Sequence, residues 1–92
     1  MEIKKGDNKF FIGKNEEENK GEITFVDSGD DKIIIDKTFV SEELEGQGIG
    51  KKLIDKTVEY ARENDLKILA TCPYAIEQLE KNEEYHDVYI GK

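Results

Sequence analysis

Apolar and polar positions alternate with a period of two through the N-terminal part of the chain, which is the pattern of strands buried on one face. The clearest segment is Glu22–Val26, whose second and fourth residues are apolar. Lys9–Lys14 holds another apolar run. Two β-branched runs follow, Lys32–Asp36 and Lys37–Val40, and they predict either one long bent strand or two separate segments.

Beyond this β-rich part, the apolar positions change to a helical period. Over Gly48–Asn64 the apolar side chains fall on one helical face and charged side chains cover the other, which predicts an amphipathic helix. A short strand at Leu66–Thr71, a short helix at Ala75–Asn82 and a last strand at Asp87–Ile90 complete the pattern. This order of strands and helices predicts a mixed α/β domain.

The length and charge of the chain limit its class. Ninety-two residues make one small domain, so we expect a single domain over residues 1–92. The formal net charge of −8 argues against nucleic acid as a partner, because neutralisation of phosphates dominates such binding. The single histidine and the single cysteine lie far apart in the sequence, and no carboxylates stand at ligand spacing, so we predict no metal site.

We find no pattern that predicts export or membrane insertion. The N-terminal segment has no apolar signal core, and the longest aliphatic run, Ile33–Ile35, is far too short to span a bilayer. One cysteine permits no internal disulfide. We therefore expect a cytoplasmic protein that does not bind membranes and is a monomer or a weak homodimer.

Three glycines at every second position, Gly46, Gly48 and Gly50, lead into the predicted amphipathic helix and form its start. Glycines there allow a diphosphate to approach the main chain, and the N–H groups at the start of a helix point at the anion. Lys51 and Lys52 follow and add positive charge. A dinucleotide-binding fold would place such glycines after its first strand, and a P-loop would need a hydroxyl residue after the lysine. The pattern therefore predicts a site for a phosphate-bearing cofactor at this helix.

The run Thr38–Leu53 carries the most specific pattern in the chain, a strand that leads into a glycine loop and then into a helix. It resembles motif A of the GNAT acetyltransferase superfamily, whose loop has the form Arg/Gln-x-x-Gly-x-Gly/Ala. The slightly longer run Asp36–Leu53, together with Thr71–Tyr74 and Asn82–Val88, is similar to the very small GNAT-like acetyltransferases. Glu45 stands where the motif usually has arginine or glutamine.

The resemblance implies a fold and a cofactor. The fold would be a central mixed, mostly antiparallel sheet flanked by two helices, with two strands parting around the cofactor. Acetyl-CoA would lie in the gap between the strand that ends near Val40 and the strand that ends near Cys72. The predicted cofactor-binding residues would offer main-chain groups to the pantetheine arm or surround the diphosphate: Phe39, Val40, Glu45, Gly46, Gln47, Gly48, Ile49, Gly50, Lys51 and Lys52.

The resemblance also implies transfer of an acetyl group from acetyl-CoA to an amine, on a small molecule or on a protein. The amine would attack the thioester directly, and a main-chain N–H aimed at the thioester oxygen would stabilise the oxyanion that forms. Cys72 could instead accept the acetyl group as a relay. Tyr85 would play the part of the tyrosine with which many GNAT enzymes protonate the departing CoA thiolate. We predict Cys72 and Tyr85 as the catalytic residues.

The sequence leaves two other functions open. The same loop could hold CoA or acyl-CoA with little or no turnover, as a sensor or as the subunit of a partner, and the lack of a convincing general base favours this alternative. His86 is the one imidazole, but its charged neighbours are typical of an exposed turn. A small interaction protein with a purely structural glycine loop is the other possibility.

Overall fold

The computed structural model describes residues 2–91. These residues form a six-stranded sheet and two helices. The strands are β1 (Lys4–Gly6), β2 (Lys9–Gly13), β3 (Asn19–Asp27), β4 (Lys32–Val40), β5 (Lys67–Ala70) and β6 (Tyr89–Gly91). The helices are α1 (Ile49–Glu63) and α2 (Pro73–Lys81), and short 3-10 turns cover Glu42–Leu44 and Glu83–Tyr85.

The sheet is mixed, and its strands lie side by side in the order of the chain. β1 to β4 are antiparallel neighbours, whereas β5 pairs parallel with β4 and β6 pairs parallel with β5. Parallel neighbours need a crossover connection, and α1 and α2 supply the two crossovers. The predicted mixed, mostly antiparallel sheet with two helices is confirmed.

One hydrophobic core lies between the sheet and both helices. Alternate strand residues point into this core, among them Ile23 and Phe25 on β3 and Ile33 and Ile35 on β4. Because α1 and α2 contribute to the same core, they cover the same face of the sheet. Since β4 and β5 are parallel, the helices that follow them both begin at the carboxyl ends of these strands.

The predicted helix at Gly48–Asn64 is confirmed as α1, with the two end residues of that range as its caps. The second predicted helix begins at Pro73 rather than at Ala75. Proline suits the first turn of a helix because its missing N–H would have no partner there. Among residues 2–91, neither helix combines the length and the apolar character that crossing a bilayer requires.

Two strand predictions need correction. The sequence pattern did not predict β1, because its three residues are too few to show a period. The last strand begins at Tyr89 and not at Asp87. The reason is that Val88 N–H still closes a turn onto the Tyr85 carbonyl, at 3.1 Å.

The two β-branched runs form one strand, β4, with a bulge in its middle. Thr24 pairs with Lys37 and Phe25 with Ile35, so Asp36 is an extra residue on β4. The Thr24 hydroxyl donates to the Asp36 carboxylate at 2.5 Å. The bulge shifts the alternation of β4 by one residue, so the positions beyond it are out of phase with Ile35.

Strands β4 and β5 part beyond this bulge. Their pairing ends where Ile35 lies opposite Ala70, and β4 continues to Val40 without β5 beside it. The opening that was predicted between these two strands is therefore present. It lies at the carboxyl ends of the strands, where both helices begin.

Candidate active site

The start of α1 presents a row of unpaired main-chain donors. The N–H groups from Gly46 to Lys51 donate no hydrogen bond to any group within residues 2–91. Lys52 N–H makes the first helical bond, to the Gly48 carbonyl at 3.2 Å. No side chain of the described residues caps the helix, because its N-cap residue is Gly48. Unpaired N–H groups at a helix N-terminus form a ready site for an anion.

Gly46 and Gly48 leave the space in front of these donors open. Their φ angles are +84° and +70°, in the left-handed region that residues other than glycine rarely adopt. A Cβ atom added to either residue would meet nothing within 4 Å. A ligand can therefore come into contact with the main chain of this loop.

A groove of about 390 Å³ runs from this loop to the free edge of β4. Ser41 N–H donates to the Lys20 carbonyl at 2.8 Å, so the main-chain groups of Ser41 face β3. Because these groups alternate along a strand, those of Phe39 also face β3, whereas those of Thr38 and Val40 face the groove. The groove is lined by Thr38, Val40, Leu44, Glu45, Gly46, Gly48, Ile49, Gly50 and Tyr74.

Most of the predicted cofactor-binding residues meet at this groove, but Phe39 does not. Its side chain lies on the opposite face of the sheet and is 41% exposed. In an uninterrupted strand Phe39 would share the phase of Ile35 and would face the groove, but the bulge shifts it by one position. Gln47 and Lys52 are exposed and lie outside the wall of the groove.

The Lys51 side chain enters a network with Tyr85 instead of pointing into the groove. Its ammonium donates to the Tyr85 hydroxyl at 3.1 Å and lies 3.6 Å from Asp55 and 3.5 Å from Glu84. The bond to Tyr85, together with these negative charges, raises the pKa of Lys51. Only the main-chain N–H of Lys51 belongs to the row of donors at the start of α1.

Tyr85 is buried beneath this network and does not line the groove. Only 2% of it is exposed, and its hydroxyl donates to the Asp55 carboxylate. Burial and this hydrogen bond raise the pKa of Tyr85. The contacts tie the turn that precedes β6 to α1, and the catalytic role of Tyr85 stays a prediction.

Cys72 lies behind the wall of the groove. It is the N-cap residue of α2 and is 9% exposed. Its Sγ is 3.8 Å from Oγ1 of Thr38, which lines the groove. The structure therefore places the cysteine one side chain away from the groove, and its catalytic role also stays a prediction.

Tyr74 is a groove residue to which the sequence pattern assigned no role. Its ring packs against the first turn of α1, where a Cβ on Gly50 would lie 2.5 Å from the phenol oxygen. Burial, with the charge of Glu77, raises the pKa of Tyr74, so the phenol stays protonated at neutral pH. The one signal in the sequence was its place directly after the Cys72–Pro73 pair. A protonated phenol in a groove wall can act as a proton donor.

His86 lies outside this site and is exposed, as predicted. Its Nε2 is 3.0 Å from the Leu79 carbonyl and 3.1 Å from the Glu80 carbonyl, so the ring interacts with the end of α2. Within residues 2–91, no three metal-ligating side chains come together.

Replacing Gly50 with alanine should push the Tyr74 ring out of the groove wall. Gly50 has an ordinary helical conformation, so alanine by itself would favour the helix. We therefore expect Gly50→Ala to be less favourable in the wild-type protein than in a Tyr74→Ala background, with a coupling free energy of about 1 kcal/mol. Urea unfolding of the four proteins measures this coupling. Equal effects in both backgrounds would show that the ring does not rest on Gly50.

The family model of GCN5-related N-acetyl-transferases matches residues 9–88, which is most of the chain. No curated protein matches the chain. The solution structure of a candidate GCN5-like N-acetyltransferase from Staphylococcus aureus is 53% identical, with a TM-score of 0.85. The match covers 99% of this chain and 89% of that one.

More distant solved structures share the fold. Tetrahymena GCN5 superposes with a TM-score of 0.63 at 19% identity, over 91% of this chain and 60% of that one. The ribosomal-protein-alanine N-acetyltransferase of Brucella melitensis gives a TM-score of 0.57 at 23% identity, over 92% of this chain and 66% of that one. The family match and the identity to the staphylococcal protein carry the assignment. The chain belongs to the GCN5-related N-acetyltransferase family and is an acetyltransferase.

Proposed function

We propose that this protein transfers an acetyl group from acetyl-CoA to an amine. The observation that carries the proposal is the row of unpaired N–H groups from Gly46 to Lys51, which opens into the groove beside β4. The row supplies donors for a diphosphate without requiring any charged side chain. Membership of the family supports acetyl-CoA as the donor of the group that is transferred.

The residues of the groove fit CoA in two further respects. The main-chain groups of Thr38 and Val40 have no neighbouring strand on the groove side within the described part of the chain, and they can pair with the amides of a pantetheine arm. The space beside Gly46 and Gly48 is open, as a diphosphate requires. When bound, acetyl-CoA supplies an acyl group that is activated as a thioester.

The chain itself would polarise the thioester and protonate the leaving group. In our proposal, Val40 N–H donates to the carbonyl oxygen of the thioester, where negative charge develops during attack. The Tyr74 phenol would deliver its proton to the departing thiolate, and the proton that the amine loses on forming the amide would restore the phenol, in place of the role that the family resemblance suggested for Tyr85. Tyr74 suits this role because it lines the groove and keeps its proton at neutral pH.

We expect the amine to attack the thioester directly, and not through Cys72. The thiol is buried behind Thr38 and does not line the groove, so an acyl relay would require a rearrangement. Cys72→Ala should therefore retain turnover within about tenfold of the wild type, since its effect would be confined to local packing. Steady-state release of free CoA measures this. A loss of turnover with unchanged CoA affinity would instead assign the relay to Cys72.

A CoA-binding module with little turnover is the alternative. Among residues 2–91, Glu45 and Tyr74 are the only ionisable side chains in the groove wall, so no imidazole of this part of the chain is placed to deprotonate an amine. Acetyl-CoA and a panel of small amines and lysine-containing peptides would separate the two functions. Release of CoA that depends on one class of amine supports the transferase. Tight binding of acetyl-CoA without release for any amine supports the module.

A further inference from the structure

We infer that the cofactor site holds its ligand through uncharged donors and gains no affinity from the 3′-phosphate of CoA, so that binding strengthens as salt is added. This inference rests on the acetyl-CoA site proposed above. The ligand class is then an acyl-pantetheine diphosphate. Any further negative charge on this ligand would weaken its binding.

The loop that leads to the donors is acidic. Glu45 lies in the groove wall. Neither Glu42 nor Glu45 has an ion-pair partner among the residues that the structure describes. The neighbouring Glu43 is paired with Lys20 at 3.1 Å, at an exposed position. The uncompensated carboxylate of Glu45 therefore lies in the wall of the proposed site, whereas that of Glu42 is exposed on the 3-10 turn just before it.

The nearby cations do not balance these carboxylates. Lys51 donates to the Tyr85 hydroxyl and forms ion pairs with Asp55 and Glu84. These two carboxylates already neutralise its positive charge. Lys52 is exposed on the first turn of α1 but does not line the groove. Within the described part of the chain, no lysine or arginine side chain lies in the groove wall.

The acidic loop and the lack of a cationic side chain in the described groove wall determine whether salt strengthens or weakens binding. Hydrogen bonds from main-chain N–H groups act at short range, whereas repulsion from Glu42, Glu45 and the net charge of −8 acts at long range. Raising the salt from about 0.01 M to about 0.15 M shortens the Debye length from about 30 Å to about 8 Å. Salt therefore screens the repulsion and leaves the short-range donors almost unaffected. A site built from cationic side chains would respond in the opposite direction.

The test is calorimetric titration of the wild-type protein with CoA and with dephospho-CoA at these two salt concentrations. The 3′-phosphate that dephospho-CoA lacks carries a charge of about −1.5 to −2 at neutral pH. We expect the affinity for CoA to rise about threefold with salt, and dephospho-CoA to bind at least as tightly as CoA in low salt. A weaker affinity for CoA in high salt, or tighter binding of CoA than of dephospho-CoA in low salt, would overturn the inference.

A matched pair of variants tests the part that Glu45 plays. Glu45→Gln should bind CoA about fivefold more tightly in low salt, and the gain should be smaller for dephospho-CoA. Glu63→Gln removes the same charge at the exposed last residue of α1, remote from the groove, and should leave the affinity nearly unchanged. Equal gains in the two variants would contradict a local effect of Glu45. If neither ligand binds in any condition, the acetyl-CoA site itself is wrong, and the salt inference falls with it.

Discussion

Gly48→Glu is expected to lower the affinity for CoA by at least about a hundredfold, which corresponds to about 2.8 kcal/mol. Gly48 is the N-cap residue of α1 at a φ of +70°, and the space beside it is open. A glutamate there would project into the place proposed for the diphosphate. The helix dipole favours an anion at the N-terminus of α1, and the negative charge of the new glutamate would repel a diphosphate there. Calorimetry with CoA measures the loss.

Gly29→Glu provides the matched control for this variant. Gly29 has a φ of +80°, and a Cβ added to it also meets nothing within 4 Å, but it lies in the turn between β3 and β4. Both variants therefore carry the same new charge and a similar backbone strain of about 1–2 kcal/mol. We expect Gly29→Glu to bind CoA like the wild type. A Gly48→Glu protein that is folded by circular dichroism and binds CoA normally would remove the proposed site.

Tyr74→Phe is expected to lower kcat by about a hundredfold while the affinity for CoA changes little, because a positioned general acid contributes about 10²–10⁴ to the rate. The phenylalanine ring keeps the packing against Gly50 and removes only the proton donor. Since burial raises the pKa of Tyr74 above its ordinary value of about 10, the wild-type rate should not fall with this group until the pH exceeds that value. Steady-state kinetics with the best amine acceptor measures both effects.

Tyr85→Phe is the control that separates the two tyrosines. It removes the hydroxyl that accepts from Lys51 and donates to Asp55, so the free energy of unfolding should fall by about 1 kcal/mol. We expect kcat to change much less than in Tyr74→Phe, because Tyr85 does not line the groove. A larger loss of kcat in Tyr85→Phe would return the acid role to that residue.

The elements with a sustained period were predictable from the sequence. α1 was predictable because its apolar stripe continues over four turns before Asn64. The glycine loop was predictable because glycines at every second position at the start of a helix are typical of a main-chain anion site. The shape of β4 could not be predicted in the same way, because the apolar positions before Asp36 are out of phase with those after it. Such a pattern fits two separate segments as well as one bent strand.

The groove wall was less predictable, because its members meet through contacts between distant parts of the chain. Tyr74 lies next to Gly50 only because α1 and α2 begin at the same edge of the sheet. The orientation of the Lys51 side chain likewise depends on Tyr85, which follows it by 34 positions. No local pattern in the sequence could predict the contact of Tyr74 with Gly50 or that of Lys51 with Tyr85, because each contact joins residues far apart in the chain.

The bulge at Asp36 divides β4 into two halves with different surroundings. In the half before the bulge, Ile33 and Ile35 are buried in the core. The peptide groups of this half on the side away from β3 pair with β5 as far as Ile35. The half after the bulge has no β5 residue beside it, so the peptide groups of Thr38 and Val40 face the groove. A single inserted amino acid thus separates the packed segment around Ile33 and Ile35 from the segment that borders the groove.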